Sequence, residues 1–367
     1  MKKYFRIVSR FVIGIVFIFS GFVKGVDPLG TMYKMEDYFA AFNMLWAEPL
    51  ALPLSVCLVV FEFMLGVMLI LNIWPKLINW LVLLTMSFFT ILTFNDALFN
   101  PVPDCGCFGD AIILTPWETF YKNVVLMFFV FVLMRTFKEI RSSWNQVAAL
   151  SLTILFAGLF AGFSLTALYH LPSIDFRYWK EGKDLKLDNG ESQVYLVYQN
   201  LESGEQLSFK SEDLPWQDSV WMAEWEFVEQ KSEQSGETHD LQIIDAYGDD
   251  VTDFILLNSE YQFVICAYDL NKSKEKGLEK VFGFYKELKN ENFNFILLTS
   301  SLQEEINSVY KKHEVNMDYG FSDDVTLKAM IRNNPGVLLL KDGVILKKWA
   351  YRDLPDPSDI KKQFGEK

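Results

Sequence analysis

The sequence predicts an α-helical membrane bundle of five spans followed by an α/β soluble domain. Three observations carry this. Five long apolar stretches all lie before residue 170. Charge divides at the same place: 11 Lys/Arg and 10 Asp/Glu through His170, then 23 and 37 in the rest of the 367 residues. Beyond that point apolar runs give way to alternation and turns. The acidic excess disfavours nucleic acid and anionic lipid as specific partners, and no Gly-rich phosphate loop occurs.

The stretches are Phe5–Val23, Leu50–Ile73, Leu77–Leu98, Pro116–Phe137 and Val147–Leu168. Each is long enough to cross a hydrocarbon core of roughly 30 Å. The first follows Lys2, Lys3, Arg6 and Arg10 but lacks a small-x-small cleavage site, so it reads as an uncleaved anchor. Basic residues at the N-terminus, and Arg135, Lys138 and Arg141 in the fourth connection, predict that both are cytoplasmic. Alternation then places the loop after the third span, which has no Lys or Arg, and the C-terminal domain outside. Trp46, Trp74, Trp80, Trp117 and Trp144 fall near predicted helix ends, as in an interfacial belt. The expected location is a bacterial inner membrane, with the exported face in an oxidising periplasm where disulfides persist.

Between the first two spans, Met35, Tyr38, Phe39, Phe42 and Leu45 recur at helical spacing. They predict an amphipathic helix, lying on the membrane surface or packed on the bundle as a lid. Thr115-Pro116-Trp117-Glu118 is a helix start, with Thr as cap, Pro first and Glu able to reach back. Ala157, Gly158, Ala161 and Gly162 form small-xxx-small pairs in the fifth span. They predict tight packing on the bundle, or on a second copy in a helix-mediated oligomer.

In the soluble part Gln193–Gln199 and Gln206–Phe209 flank Glu202–Glu205 as a hairpin. Trp225–Val228 and Leu241–Ile244 read as further strands around a charged loop near Lys231–Asp240. Next come strand Phe263–Ala267, helix Lys274–Leu288, strand Phe293–Thr299 and helix Leu302–His313. Strand Gly336–Leu340, a turn and strand Val344–Trp349 end the order, which predicts an α/β sandwich.

Chemistry concentrates in Asp104-Cys105-Gly106-Cys107-Phe108-Gly109-Asp110. Two cysteines one residue apart can bridge only if the backbone brings their Cα atoms within about 4.4–6.8 Å. Gly106 makes such a turn accessible, and the small ring would be strained and easily reduced. Three readings stand for the pair: a redox carrier, a structural loop disulfide, or a metal site. Metal is the weakest, because two Cys and two Asp without a nearby His is an unusual zinc set. No metal is expected.

His170, leaving the membrane on the same face, could act as a base toward these thiols or simply bond to backbone. Glu62, near the middle of the second span, is a functional candidate because a carboxylate there must be neutral or paired. Lys24 is the partner within reach if its side chain turns inward. Proton transfer or contact with a quinone headgroup is one role for Glu62, an interhelical hydrogen bond the other. Asp96, at the outer end of the third span, joins Glu62 and Lys24 as a proton or quinone candidate, with a solvated cap as the stronger reading. Cys57 reads as a packing residue, with resolution of a mixed disulfide with Cys105 or Cys107 as its other reading; Cys266 reads as core, and His239 and His313 carry no signal.

Several of these residues resemble the DoxX/MauE group of four-helix integral membrane proteins. They are Ser20-Gly21-Phe22-Val23-Lys24 with Asp27-Pro28, Glu62 with Gly66, and above all Asp104-Cys105-Gly106-Cys107-Phe108-Gly109. The likeness covers about residues 1–140. It implies a part in maturing a periplasmic, disulfide-rich amine dehydrogenase of methylamine metabolism beside a thioredoxin-like partner, or in a quinone-linked oxidoreductase. A fifth span (141–170), a β-rich segment (171–247) and a soluble domain (248–367) are additional. The arrangement looks like a Bacteroidetes-type variant of the group. The last part resembles a thioredoxin fold: Asn333-Asn334-Pro335-Gly336-Val337 stands where thioredoxins carry a cis-proline. Where their Cys-x-x-Cys would be, the chain reads Ala267-Tyr268-Asp269-Leu270-Asn271-Lys272.

Two functions follow as expectations. One is a membrane thiol–disulfide oxidoreductase or its accessory, working on a periplasmic client, with quinone as acceptor and no covalent cofactor. The other is a non-catalytic envelope scaffold that recruits a partner through the thioredoxin-like domain and the groove beside Pro335.

Overall fold

The computed structural model describes residues 2–100, 102, 106–135, 142, 144–186, 193–200, 206–210, 221, 224–233 and 241–365. Cys105, Asp104, His239 and the expected turn Glu202–Glu205 lie outside the described residues. The chain divides into two compact units, Met1–Arg177 and Tyr178–Lys367.

The first unit is helical: α1 (Lys2–Val26), α2 (Pro28–Ala41), a 3₁₀ turn (Leu45–Leu50), α3 (Ala51–Leu71), α4 (Pro75–Phe99), α5 (Pro116–Arg135) and α6 (Gln146–Tyr169). Five spans of 20 to 27 residues are long and apolar enough to cross a membrane. Their outward side chains include Phe88, Ile91, Phe128, Phe131, Ile154 and Leu159, all exposed. Lipid tails would solvate that surface and water would not, so this is a multi-pass membrane protein. Trp46, Trp80, Trp117 and Trp144 are exposed near helix ends, and the Trp144 indole donates to Leu71 O at 2.8 Å.

α1 and α3 run antiparallel and close together. A Cβ added at Gly66 would come within 2.6 Å of Gly14 O and 2.7 Å of Ile18 N. One at Gly21 would come within 2.5 Å of Phe63 N. Glycine is needed at both because the neighbour is backbone and cannot yield. Ile13, Phe17, Leu65, Met68 and Leu69 fill the core around this crossing.

The small residues of α6 divide between two sides of the helix. Gly158 and Gly162 face open space within this chain. Instead α6 docks through Phe160, whose ring stacks on Phe63 at 3.8 Å. Ala157 of the stripe packs against the same core, so the stripe straddles the docking face and only its glycines point away from this chain. The α5 start forms as expected: Glu118 Oε2 accepts from Thr115 N and from its hydroxyl, both at 2.8 Å.

The second unit holds two sheets. β1 (Gln193–Asn200), β2 (Gln206–Lys210) and β3 (Trp225–Glu233) form an antiparallel sheet of order β2-β1-β3. β3 runs to Glu233, into the segment expected as a loop. β4 (Gln262–Cys266), β5 (Asn294–Thr299), β6 (Tyr319–Phe321), β7 (Gly336–Lys341) and β8 (Val344–Ala350) form the other, in the order β6-β5-β4-β7-β8. β4, β5 and β6 are parallel, while β7 and β8 are antiparallel to their neighbours. Central β4 is buried at all five positions, as a strand covered by helices must be. Those helices are Glu275–Leu288, Gln303–His313 and Pro357–Phe364. A parallel β-α-β unit closed by an antiparallel hairpin, with cis Asn334–Pro335 just before β7, is a thioredoxin-like α/β fold.

Leu241–Ile244 does not form a strand. Ile244 makes only isolated bridges, to Asp250 and to Phe321. β6 and the helices Asp324–Met330 and Pro357–Phe364 are too short to show a period. Residues 181–185 cover the free edge of β8: Gly182 N donates to Ile345 O at 2.7 Å, and Leu185 N to Gly343 O at 2.8 Å. An edge left bare would offer itself to other strands.

Candidate functional site

Glu62 lies eleven residues into α3, about 16 Å along the helix at 1.5 Å per residue, and is 1% exposed. Across the Gly21 crossing it meets Lys24 of α1, whose ammonium lies 2.8 Å from Oε1 and 2.9 Å from Oε2. Close approach of the two helices is what lets both charges share one buried site. Neither charge would survive there alone, because an unpaired ion in a dry interior is strongly disfavoured. The ring of Phe89 on α4 stands 5.5 Å from the Lys24 ammonium, adding a cation–π contact.

Ser20, one turn before Lys24, links this pair to the Cys-Gly-Cys loop. Its hydroxyl lies 2.9 Å from Glu62 Oε2 and 2.7 Å from the Cys107 carbonyl oxygen. The loop is therefore folded down onto the bundle. Gly106 (φ 60°) and Gly109 (φ 51°) make its turns in the left-handed region. Val102 is buried, and the Phe108 ring packs edge-on to Phe19 at 5.4 Å. Irregular backbone at such depth persists only where protein groups can satisfy it, and the Ser20 hydroxyl is in reach of the Cys107 carbonyl. Cys107 itself is half-buried.

Lys122 is a residue that sequence reasoning passed over. Its ammonium lies 4.1 Å from the centre of the Phe108 ring, beside Cys107. A lysine inside the α5 span was itself the available signal.

Asp96 is not a solvated cap. It is fully buried, and one oxygen accepts from the Tyr38 hydroxyl at 2.7 Å. The other has no hydrogen-bond partner among the described residues. The correction follows from α2, which lies against the bundle as a lid and covers a position that would otherwise meet water. Also on α4, Thr93 accepts from Asn123 of α5 at 3.1 Å. Phe89, Thr93 and Asp96 thus form one polar-lined face of α4.

His170 is exposed and caps α6, its N–H on Thr166 O at 2.9 Å. Cys57 lies exposed on α3. No cluster able to hold a metal ion occurs among the described residues.

In the second unit, Asp269-Leu270-Asn271-Lys272 occupies the place of a redox motif and is bound to the cis-proline loop. Asn334 Nδ2 donates to Asp269 O at 2.8 Å, and the Ser273 hydroxyl has Asn334 Oδ1 and Asp269 O both at 2.9 Å. A Cβ at Gly277 would stand 2.8 Å from Pro335 Cδ, so the following helix packs directly on the proline. Cys266 is fully buried in β4, and burial pushes its thiol up from the ordinary 9.0 to about 12. At neutral pH it is an inert thiol.

Among solved structures, the C-terminal region is similar to the thioredoxin domain of a thiol-disulfide oxidoreductase from Bacteroides vulgatus. Identity there is 16%, covering 36% of this chain and 100% of that one, with TM-score 0.28. A thiol:disulfide interchange protein from a Bacteroides species matches at 15% identity, 35% and 89% coverage and TM-score 0.27. StoA from Bacillus subtilis matches at 12%, 35% and 98%, with TM-score 0.26. No curated protein matches. The N-terminal membrane region, residues 2–136, matches the family described as methylamine utilisation protein MauE.

Proposed function

We propose that this protein is a membrane thiol–disulfide oxidoreductase, or the membrane subunit of one, whose working pair is Cys105 and Cys107. The observation that carries the reading is the seating of the Cys107 loop, through Ser20, on the buried Lys24–Glu62 pair. A loop kept only for shape needs no ion pair beneath it, whereas a dithiol that gains and loses protons with its electrons has use for one.

In the forward step a dithiol on an exported client attacks the Cys105–Cys107 disulfide. The client gains a disulfide, and two electrons and two protons leave it to give two thiols on the loop. The loop faces the oxidising side of a bacterial inner membrane. A quinone, when bound, supplies an acceptor for two electrons and two protons. Lys24 fits a carbonyl oxygen, and Asp96 Oδ1, buried without a partner among the described residues, fits a hydroxyl donor. His170 would serve as a base toward the thiols. The thioredoxin-like domain, its own cysteine inert, presents the groove beside Pro335 to clients.

Thiol trapping on native membranes tests this. Cys105 and Cys107 are expected as a disulfide that turns reduced when client thiols are supplied. Cys105→Ser with Cys107→Ser should leave client thiols reduced. Unchanged client status in that double variant sinks the redox reading.

The alternative is a non-catalytic envelope scaffold recruiting a partner through the thioredoxin-like domain. The hydrogen-bonded turn in place of a redox motif favours it. It expects loss of function on removing Leu171–Lys367 but full function in the double serine variant.

A further inference from the structure

We infer that Ser20 is a positioning residue that couples the charge on Glu62 to the conformation of the loop bearing Cys107. The inference rests on the redox reading of that loop. A hydroxyl has one proton to donate. Here it has two acceptors in reach from different elements, Glu62 Oε2 of α3 at 2.9 Å and the Cys107 carbonyl at 2.7 Å. It serves one at a time.

Which one it serves depends on charge. Hydrogen bonds to an ionised carboxylate are about twice as strong as neutral ones. While Glu62 is ionised, the Ser20 proton turns toward it and the loop gives up that tether. When Glu62 is neutral the advantage vanishes, and the proton turns to the shorter contact, the Cys107 carbonyl. The loop is then held on the bundle.

The groups around Glu62 fit such a switch. Lys24 holds both carboxylate oxygens from α1, while α4 presents the uncharged ring of Phe89 to that lysine. From α6, Phe160 covers Phe63, next to Glu62. Lys122 and Asp110 belong to the loop's own surroundings. A proton gained or lost at the buried pair thus reaches the loop through one side chain.

Hydrogen–deuterium exchange over residues 106–111, in the reduced full-length protein in detergent micelles, tests the coupling. With Glu62 ionised, Ser20→Ala alone should change exchange little. Glu62→Gln should slow exchange on the order of two- to tenfold, the worth of one hydrogen bond, and Ser20→Thr should keep that slowing. The decisive comparison is the double variant, in which Glu62→Gln should no longer change exchange once Ser20 is Ala. A purely structural role for Ser20 leaves the two effects additive, and that result overturns the inference. Should Glu62→Gln fail to fold with Lys24 bare, Lys24→Gln with Glu62→Gln removes both charges and takes its place. Loop exchange does not require the cysteines to cycle. Coupling lost while cycling persists therefore refutes this inference alone, and absence of cycling refutes the function.

Discussion

Lys24 and Glu62 bring two opposite charges to 2.8 Å inside a helical bundle. Burying such a pair is of small net benefit, but stranding one member is strongly unfavourable. Lys24→Met should therefore destabilise the membrane unit by about 3–5 kcal/mol. Lys24→Met with Glu62→Leu should recover most of that loss. Denaturant melts of the two variants in one detergent check both. If the single variant melts like the native protein, the pair is not what the geometry implies. The candidacy of Glu62 was visible in the sequence, because a carboxylate in an apolar span stands out. Its seating beside Ser20 and the Cys107 carbonyl was not, since these lie 42 and 45 positions away along the chain. Asp96 shows the reverse: at a helix end it looked wet, and only the α2 lid makes it dry.

Among the elements, α1 and α3 have the tightest relationship, and Gly66 allows it. Gly66→Ala drives a methyl to 2.6 Å from Gly14 O and 2.7 Å from Ile18 N. The helices must separate, at about 1–3 kcal/mol for overpacking. Separation should also loosen the Lys24–Glu62 pair that the crossing holds. A lower melting midpoint, with faster exchange in the loop 106–111, is the expected result. Gly158→Ala should leave both unchanged in the monomer, since that glycine meets open space. The spans themselves were legible from hydropathy, and the α5 start from its capping pattern. The contact faces were not, because a stripe of small residues marks where helices can approach and not where they do. Likewise Leu241–Ile244 alternates like a strand but finds only single bridges, as the edge strand β6 has only three residues to pair with.

For the whole molecule, the two units differ in the solvent each needs. Met1–Arg177 presents apolar side chains outward, and Tyr178–Lys367 buries its own core of Phe263, Ile265, Phe282, Leu297 and Leu339. Residues 178–367 produced alone should stay soluble and fold cooperatively, while 1–177 should leave the membrane only with detergent. Fractionation and a thermal melt check this. A C-terminal piece that aggregates would show that the units depend on each other. The start at 178 matters, because residues 181–185 cover the edge of β8; a piece beginning at 248 should expose it and associate.

The linear order of residues determined the solvent of each half, the number of spans, four of the five strands of the thioredoxin-like sheet and the absence of a Cys-x-x-Cys. These depend on composition and period, which neighbours in the chain carry by themselves. Tertiary structure decided that the Lys24 side chain does turn inward to Glu62, and it alone decided that Asp96 is dry, that α6 docks through Phe160, and that Ser20 stands between a carboxylate and the cysteine loop. Contacts of that kind depend on where helices cross. Crossing is set by the summed fit of many side chains, which no local pattern records.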